Sequence, residues 1–165
     1  MAITLADTYY IKALDNYPYN LEEMLENINY ALSYDDQHAE ANTLMAKFYT
    51  YEVPKFELAK EYAHKAIGSD PLCVPAFGAL AEILMHSGDI IELKNVVKYV
   101  CTLKEANIYY FKGILAQAYE QNGKLKKAQK ILKDAIQNCV YNHTLEVLEN
   151  QLKRVDKKLK RGKKK

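Results

Sequence analysis

Tryptophan is absent, and the 165 residues hold only six glycines, four prolines and three cysteines. So little Gly and Pro excludes a collagen-like chain or a flexible linker array. The cysteines, Cys73, Cys101 and Cys139, form no CxxC pair, and their odd number in a chain this long argues against a disulfide framework. They read as reduced, mostly buried thiols. Three serines occur, with no GxSxG, no HExxH and no Gly-rich phosphate cradle, so the residues for hydrolase, zincin or P-loop chemistry are missing. Cys139 and His143 stand one helical turn apart, but structural zinc takes four ligands and no second pair is close. Neither a metal nor a cofactor is expected, and no residue is assigned a catalytic role. No apolar run approaches the roughly 20 residues that cross a bilayer. The opening stretch lacks a basic start and an apolar core and does not resemble a secretory signal, so the expected location is cytoplasmic and Asn142-His143-Thr144 carries no meaning as a glycosylation triplet.

What is present is a globular composition, 49% hydrophobic and 27% charged, with an uneven distribution of charge. Residues 1–100 carry 7 Lys and Arg against 15 Asp and Glu, whereas residues 101–165 carry 16 against 6. Such a dipole steers association or orders head-to-tail contacts; it does not decide the fold.

Two series of residues return at a fixed spacing. Met45-Ala46 with Tyr49 recurs as Leu80-Ala81 with Leu84 and as Leu115-Ala116 with Tyr119, at steps of 35. Ala59 with Ala66 recurs as Leu93 with Val100 and as Ala128 with Ala135, at steps of 34 and 35. One step back, Tyr10, Ile11 and Leu14 continue the first series, and Met24 and Ala31 the second. Within each period the apolar residues fall at helical spacing with punctuation between, which predicts a pair of antiparallel helices per period. The helices are expected at 4–16, 20–34, 38–51, 54–68, 73–87, 89–103, 106–121, 124–138 and 141–161, with Asn20 and Glu23 forming a capping box and Pro54 in a first turn. Ser87-Gly88-Asp89 and Asn122-Gly123 supply turns. The small residues have a mechanical use: Ala46, Ala59 and Ala66 let two helices approach while Met45, Tyr49 and Tyr62 interlock around the crossing. A lone pair cannot bury its apolar face, so adjacent pairs must stack.

This pattern resembles the tetratricopeptide repeat. The second period matches best, through Met45, Ala46, Tyr49, Ala59, Tyr62, Ala66 and Pro71, with one extra residue near Val53-Pro54; the third offers Phe77, Leu80, Ala81, Leu84 and Gly88-Asp89, and the fourth Leu115, Ala116, Tyr119, Gly123, Ala128 and Ala135. Leu93 and Val100 depart from the expected small residues and predict a looser third hairpin. Ile11 departs likewise in the first. The resemblance implies an all-α, right-handed superhelix of about four hairpins (near 4–36, 38–72, 73–106 and 108–140), then a capping or coiled-coil helix over 141–159 and a basic tail over 160–165. It further implies a non-catalytic adaptor or scaffold holding a partner peptide or helix in a concave groove. At matching positions that groove takes Leu5, Thr8, Lys12 and Asp15 from the first repeat, Thr43, Lys47, Thr50 and Tyr51 from the second, Gly78, Glu82 and His86 from the third, and Tyr110, Gly113, Gln117 and Glu120 from the fourth. Gly78 and Gly113 would widen its floor for a bulky ligand. The carboxylate clamp of chaperone cofactors in this family is not carried, because its positions read Thr43, Lys47, Ala79, Tyr110 and Ile114.

Fourteen tyrosines divide between two uses. Tyr49, Tyr62 and Tyr119 fall on core positions, while Tyr51 and Tyr110 are the better ligand contacts. In the C-terminal segment Tyr141, Leu145, Leu148, Leu152, Val155 and Leu159 are spaced as an a/d seam, which serves either a cap over the last hairpin or dimerisation. Beyond it Lys153 to Lys165 hold nine basic residues and one acid, with Lys157, Lys158, Lys160, Arg161, Lys163, Lys164 and Lys165 forming an electrostatic tail. That tail reads as solvated chain or as a sequence-blind nucleic-acid contact. A third reading is self-assembly through the oppositely charged ends.

Overall fold

The structure is a computed structural model that describes residues 3–162, so Lys163, Lys164 and Lys165 of the expected tail lie outside the described residues. Nine helices and no strand occur among them: α1 (Leu5–Asn16), α2 (Leu21–Tyr34), α3 (Ala39–Tyr51), α4 (Phe56–Ser69), α5 (Val74–Ser87), α6 (Ile90–Val100), α7 (Ile108–Gln121), α8 (Leu125–Asn138) and α9 (Asn142–Gly162). The chain is all-α, with the neighbour-on-neighbour packing of a helical repeat. It forms two compact units, Met1–Ile83 and Leu84–Lys165, divided inside α5.

In the first unit α1 packs on α2 and α3 on α4, with α1 and α2 both reaching α3. Short polar side chains start these helices by taking up amides that the first turn leaves unpaired. Thr4 Oγ1 accepts from the Asp7 amide at 3.0 Å while Asp7 Oδ2 accepts from the Thr4 amide at 2.8 Å, closing a capping box. Asn20 caps α2 through the Glu23 amide at 3.3 Å. His38 caps α3: the Ala41 amide donates to Nδ1 at 3.2 Å, which leaves the ring proton on Nε2 to meet Asp7 Oδ1 at 3.1 Å. In that tautomer Nδ1 has no proton for Glu40 Oε2, 3.4 Å away. One residue thus starts α3 and ties it to α1. The Thr4 and His38 hydrogen bonds hold the Asp7 carboxyl at about 2, below its ordinary 3.8.

The two repeating series are the buried positions. Ala46, Ala81 and Ala116 are enclosed, as are Met45, Leu80 and Leu115; Ala59, Leu93 and Ala128, with Ala66, Val100 and Ala135, expose nothing. Met24 and Ala31 extend the second series into α2. The first series does not extend into α1 as expected, because Ile11 and Leu14 are exposed and Ala6 and Ala13, seven residues apart, are buried instead. Ala13, Met24, Ile28 and Ala31 join Leu44, Met45 and Phe48 in one core. The Tyr49 and Tyr62 rings stack beside it, 5.7 Å apart. A second cluster, Ala39, Ala66, Cys73 and Ala76, contains no large side chain.

Helix ends differ from expectation by two or more residues in three places, one being α7, which starts at Ile108 behind the Asn107 cap rather than at 106. Pro54 precedes the cap of α4 rather than entering its first turn: the Val53 amide folds back to the Phe48 carbonyl (3.2 Å) and the Lys55 amide to the Tyr49 carbonyl (2.8 Å), so the connection continues the end of α3. After α6, amides of Thr102 and Leu103 bond to the carbonyls of Tyr99 and Val100, and this tight turn ends the helix before Leu103.

In the second unit α6 and α8 pack on α7, and α9 packs on both α7 and α8. Gly123, at φ 70°, makes the left-handed step from α7 into α8 that a side chain would strain. Phe111, Leu84, Leu93, Leu132 and Leu148 are the largest side chains fully enclosed in this unit. Because α9 continues to Gly162, the expected tail over 160–165 begins as helix, and Lys160 and Arg161 belong to its last turn.

Candidate partner-binding surfaces

In the first unit the expected groove residues separate into those that offer a side chain and those that do not. Thr43 is buried, and its hydroxyl donates to the Ala39 carbonyl at 2.8 Å. Thr50 repeats the pattern on Ala46. Back-bonding to the preceding turn satisfies each hydroxyl inside its own helix, so Thr43 presents nothing to a ligand. Gly78 is buried within α5. Thr8 is half-buried and donates to the Thr4 carbonyl at 3.0 Å.

Three residues remain at one place. Lys47 is half-buried, and Tyr51, exposed, stands one turn further along the same face of α3. The Tyr51 hydroxyl donates to Glu82 Oε2 at 2.7 Å, joining α3 to α5 across a sequence separation of 31. Partial burial, then the bond to this carboxylate, raises the phenol well above its ordinary value, so the proton stays on oxygen across the physiological range. Lys12 leans over the Tyr9 ring at 5.0 Å. This surface combines an aromatic edge of the kind enriched in protein interfaces with a carboxylate and an ammonium that can orient a charged partner.

In the second unit the corresponding face of α7 is already covered by the chain itself. A Cβ on Gly113 would lie 3.2 Å from Leu148 Cδ2 and 3.6 Å from Gln151 Oε1, so the missing side chain admits α9 rather than widening a floor for a ligand. Three turns of α7 are joined to α9: Asn107 Nδ2 donates to Thr144 Oγ1 at 2.8 Å, Gly113 meets Leu148, and Glu120 closes the far end. Glu120, its side chain 4% exposed, receives Arg154 Nε at 2.9 Å, Arg154 Nη2 at 2.7 Å and Lys158 Nζ at 2.8 Å. The Arg154 hydrogen bonds pull the Glu120 carboxyl below the ordinary carboxylate range against the opposing effect of burial. Tyr110 is exposed with its ring edge-on to Phe111, Gln117 is half-buried, and His86 is exposed at the end of α5.

No family model, no curated protein and no solved structure matches this chain. The site is therefore read from its own chemistry. Among the described residues no group of three or more His, Cys, Asp or Glu is placed to hold a metal ion, and no helix is long and apolar enough to cross a membrane.

Of the a/d seam, Leu148 and Val155 are buried, Leu145, Leu152 and Leu159 half-buried and Tyr141 exposed. The seam faces α7 and α8, as a cap does. Sequence reasoning missed the His38–Asp7 tie and the Glu120 clamp. Arg154 and Lys158, one turn apart beside the seam, were the legible half of the clamp. Their acceptor lies 34 residues away, and no local pattern identifies it.

Proposed function

We propose that this chain is a non-catalytic adaptor of the tetratricopeptide type, holding a partner peptide or helix on α1, α3 and the first part of α5. The observation that carries this reading is the coincidence of the 35-residue series, from Met45 onward, with buried positions, Tyr49 alone being half-buried, since repeats of helix pairs serve to present a continuous side-chain surface rather than a reaction centre. Within the first unit Lys47, Tyr51 and Glu82 bring an ammonium, a phenol and a carboxylate together on α3 and the first part of α5, and that is the surface this reading uses. Tyr51 supplies contact area at low entropic cost, and its bond to Glu82 fixes the ring before a partner arrives. Lys47 orients a partner carboxylate. Lys47→Glu combined with Tyr51→Ala tests this: proteins retained from native lysate by the intact chain are expected to be lost by the double variant, with helical content unchanged. Retention of the same proteins would move the contact elsewhere.

A further inference from the structure

We infer that the outer face of α8 and α9 is a sequence-blind docking surface for the phosphate backbone of a nucleic-acid duplex. On α8, Lys126, Lys130 and Lys133 stand at i, i+4 and i+7, exposed and opposite the buried Ala128, Leu132 and Ala135. On α9, Lys153, Lys157, Lys160 and Arg161 form a second exposed stripe opposite Leu148 and Val155. The helices run antiparallel: Gln129 Nε2 donates to Asp156 Oδ1 at 2.7 Å, and Leu159 borders the same depression as Lys124 to Lys127. The stripes therefore lie side by side, with helix axes about 8–10 Å apart.

Of the nearby carboxylates, Glu146 and Glu149 lie exposed in the first half of α9, before the stripe, and three others have partners within the unit. Asp134 pairs with Lys112 at 2.8 Å, Asp156 accepts from Gln129, and Glu120 is held by Arg154 and Lys158. Among the described residues none of the stripe cations has an ion-pair partner. From Leu84 onward the chain carries 18 Lys and Arg against 8 Asp and Glu, so the unit leaves a net positive field centred on these two helices.

The form of the patch favours phosphate over an acidic protein. All but one of its cations are lysines, point charges without the bidentate fork that selects one carboxylate geometry, and no aromatic side chain lies on either stripe to stack a base. A duplex presents one charge per about 1.7 Å of axis and meets a lattice of point charges in any register. Carboxylates of a folded partner would have to match it at defined positions.

The test is fluorescence anisotropy of the full chain with a labelled random-sequence 20-base-pair DNA duplex. Expected is binding at 50 mM salt that weakens about 100-fold or more by 200 mM, since each neutralised phosphate contributes about −0.9 to the slope of log K against log salt. Lys126→Gln with Lys130→Gln and Lys133→Gln should lower affinity at least tenfold and flatten that slope by about 2.7 if all three reach phosphates. If this variant alters the helical signal, Lys157→Gln with Lys160→Gln gives the same reading from the other stripe. Four results overturn the proposal: no binding at 50 mM salt, affinity indifferent to salt, affinity unchanged by the α8 substitutions, or salt-sensitive self-association in place of duplex binding. The last assigns the patch to the acidic unit of a second copy.

Discussion

Replacing Arg154 and Lys158 together with Ala is expected to destabilise the second unit by about 2–3 kcal/mol, read as a lowered midpoint in chemical denaturation. Each cation alone is half-exposed and worth little as a surface pair. The loss comes from Glu120, whose carboxylate would lose the Arg154 and Lys158 donors and be left part-buried without an ionic partner. An unpartnered buried charge costs more than the pair it came from contributes. The pH dependence gives a second readout. In the intact chain the folded carboxyl of Glu120 titrates below its ordinary value of 4.5, so its contribution is complete above that value and fades as pH falls through the lower, folded one. In the double variant only burial remains, which pushes the carboxyl up and makes acid relieve the penalty. Intact and variant proteins should therefore converge in stability as the pH drops below about 4.5. A variant that stays equally far below the intact chain down to pH 3 would show that Glu120 is not the group concerned.

Ala66→Leu should cost about 1–3 kcal/mol by overpacking. Ala66 exposes nothing and lies among Ala39, Cys73 and Ala76, none of which has a long side chain that swings aside. Added methylenes must separate helix backbones or force an eclipsed rotamer. The half-buried Ile67, adjacent in sequence and packed against the same cluster, supplies the control: Ile67→Leu conserves volume and should change stability by less than about 1.5 kcal/mol. Equal effects of the two substitutions would mean that the small side chain at position 66 is not what allows the close approach.

The helices were legible because one physical demand, burying one face of each helix at a close crossing, writes itself into the chain at 3.6 and at 35 residues. Ala59, Leu93 and Ala128 illustrate its strength, since the middle member is a large residue and is enclosed all the same. In α1 the same extrapolation slipped, because Ala6 and Ala13 answer the demand with a different register that Tyr10 and Ile11 conceal. Surface roles were less legible. Whether Thr43 points to a ligand or bonds to its own helix depends on what stands opposite, and whether Gly113 opens a groove or seats a helix depends on α9, whose contact with it is 35 residues distant. A residue's side of a helix follows from periodicity; the identity of its neighbour does not.

The most direct test of the repeat itself is residue-resolved amide hydrogen exchange. Protection is expected to rise around Met45-Ala46, Leu80-Ala81 and Leu115-Ala116 and again near Ala66, Val100 and Ala135, with faster exchange in the exposed connections between, so that the profile has a period of 35 residues. Protection that is uniform along the chain, or that peaks out of step with those positions, would contradict the account.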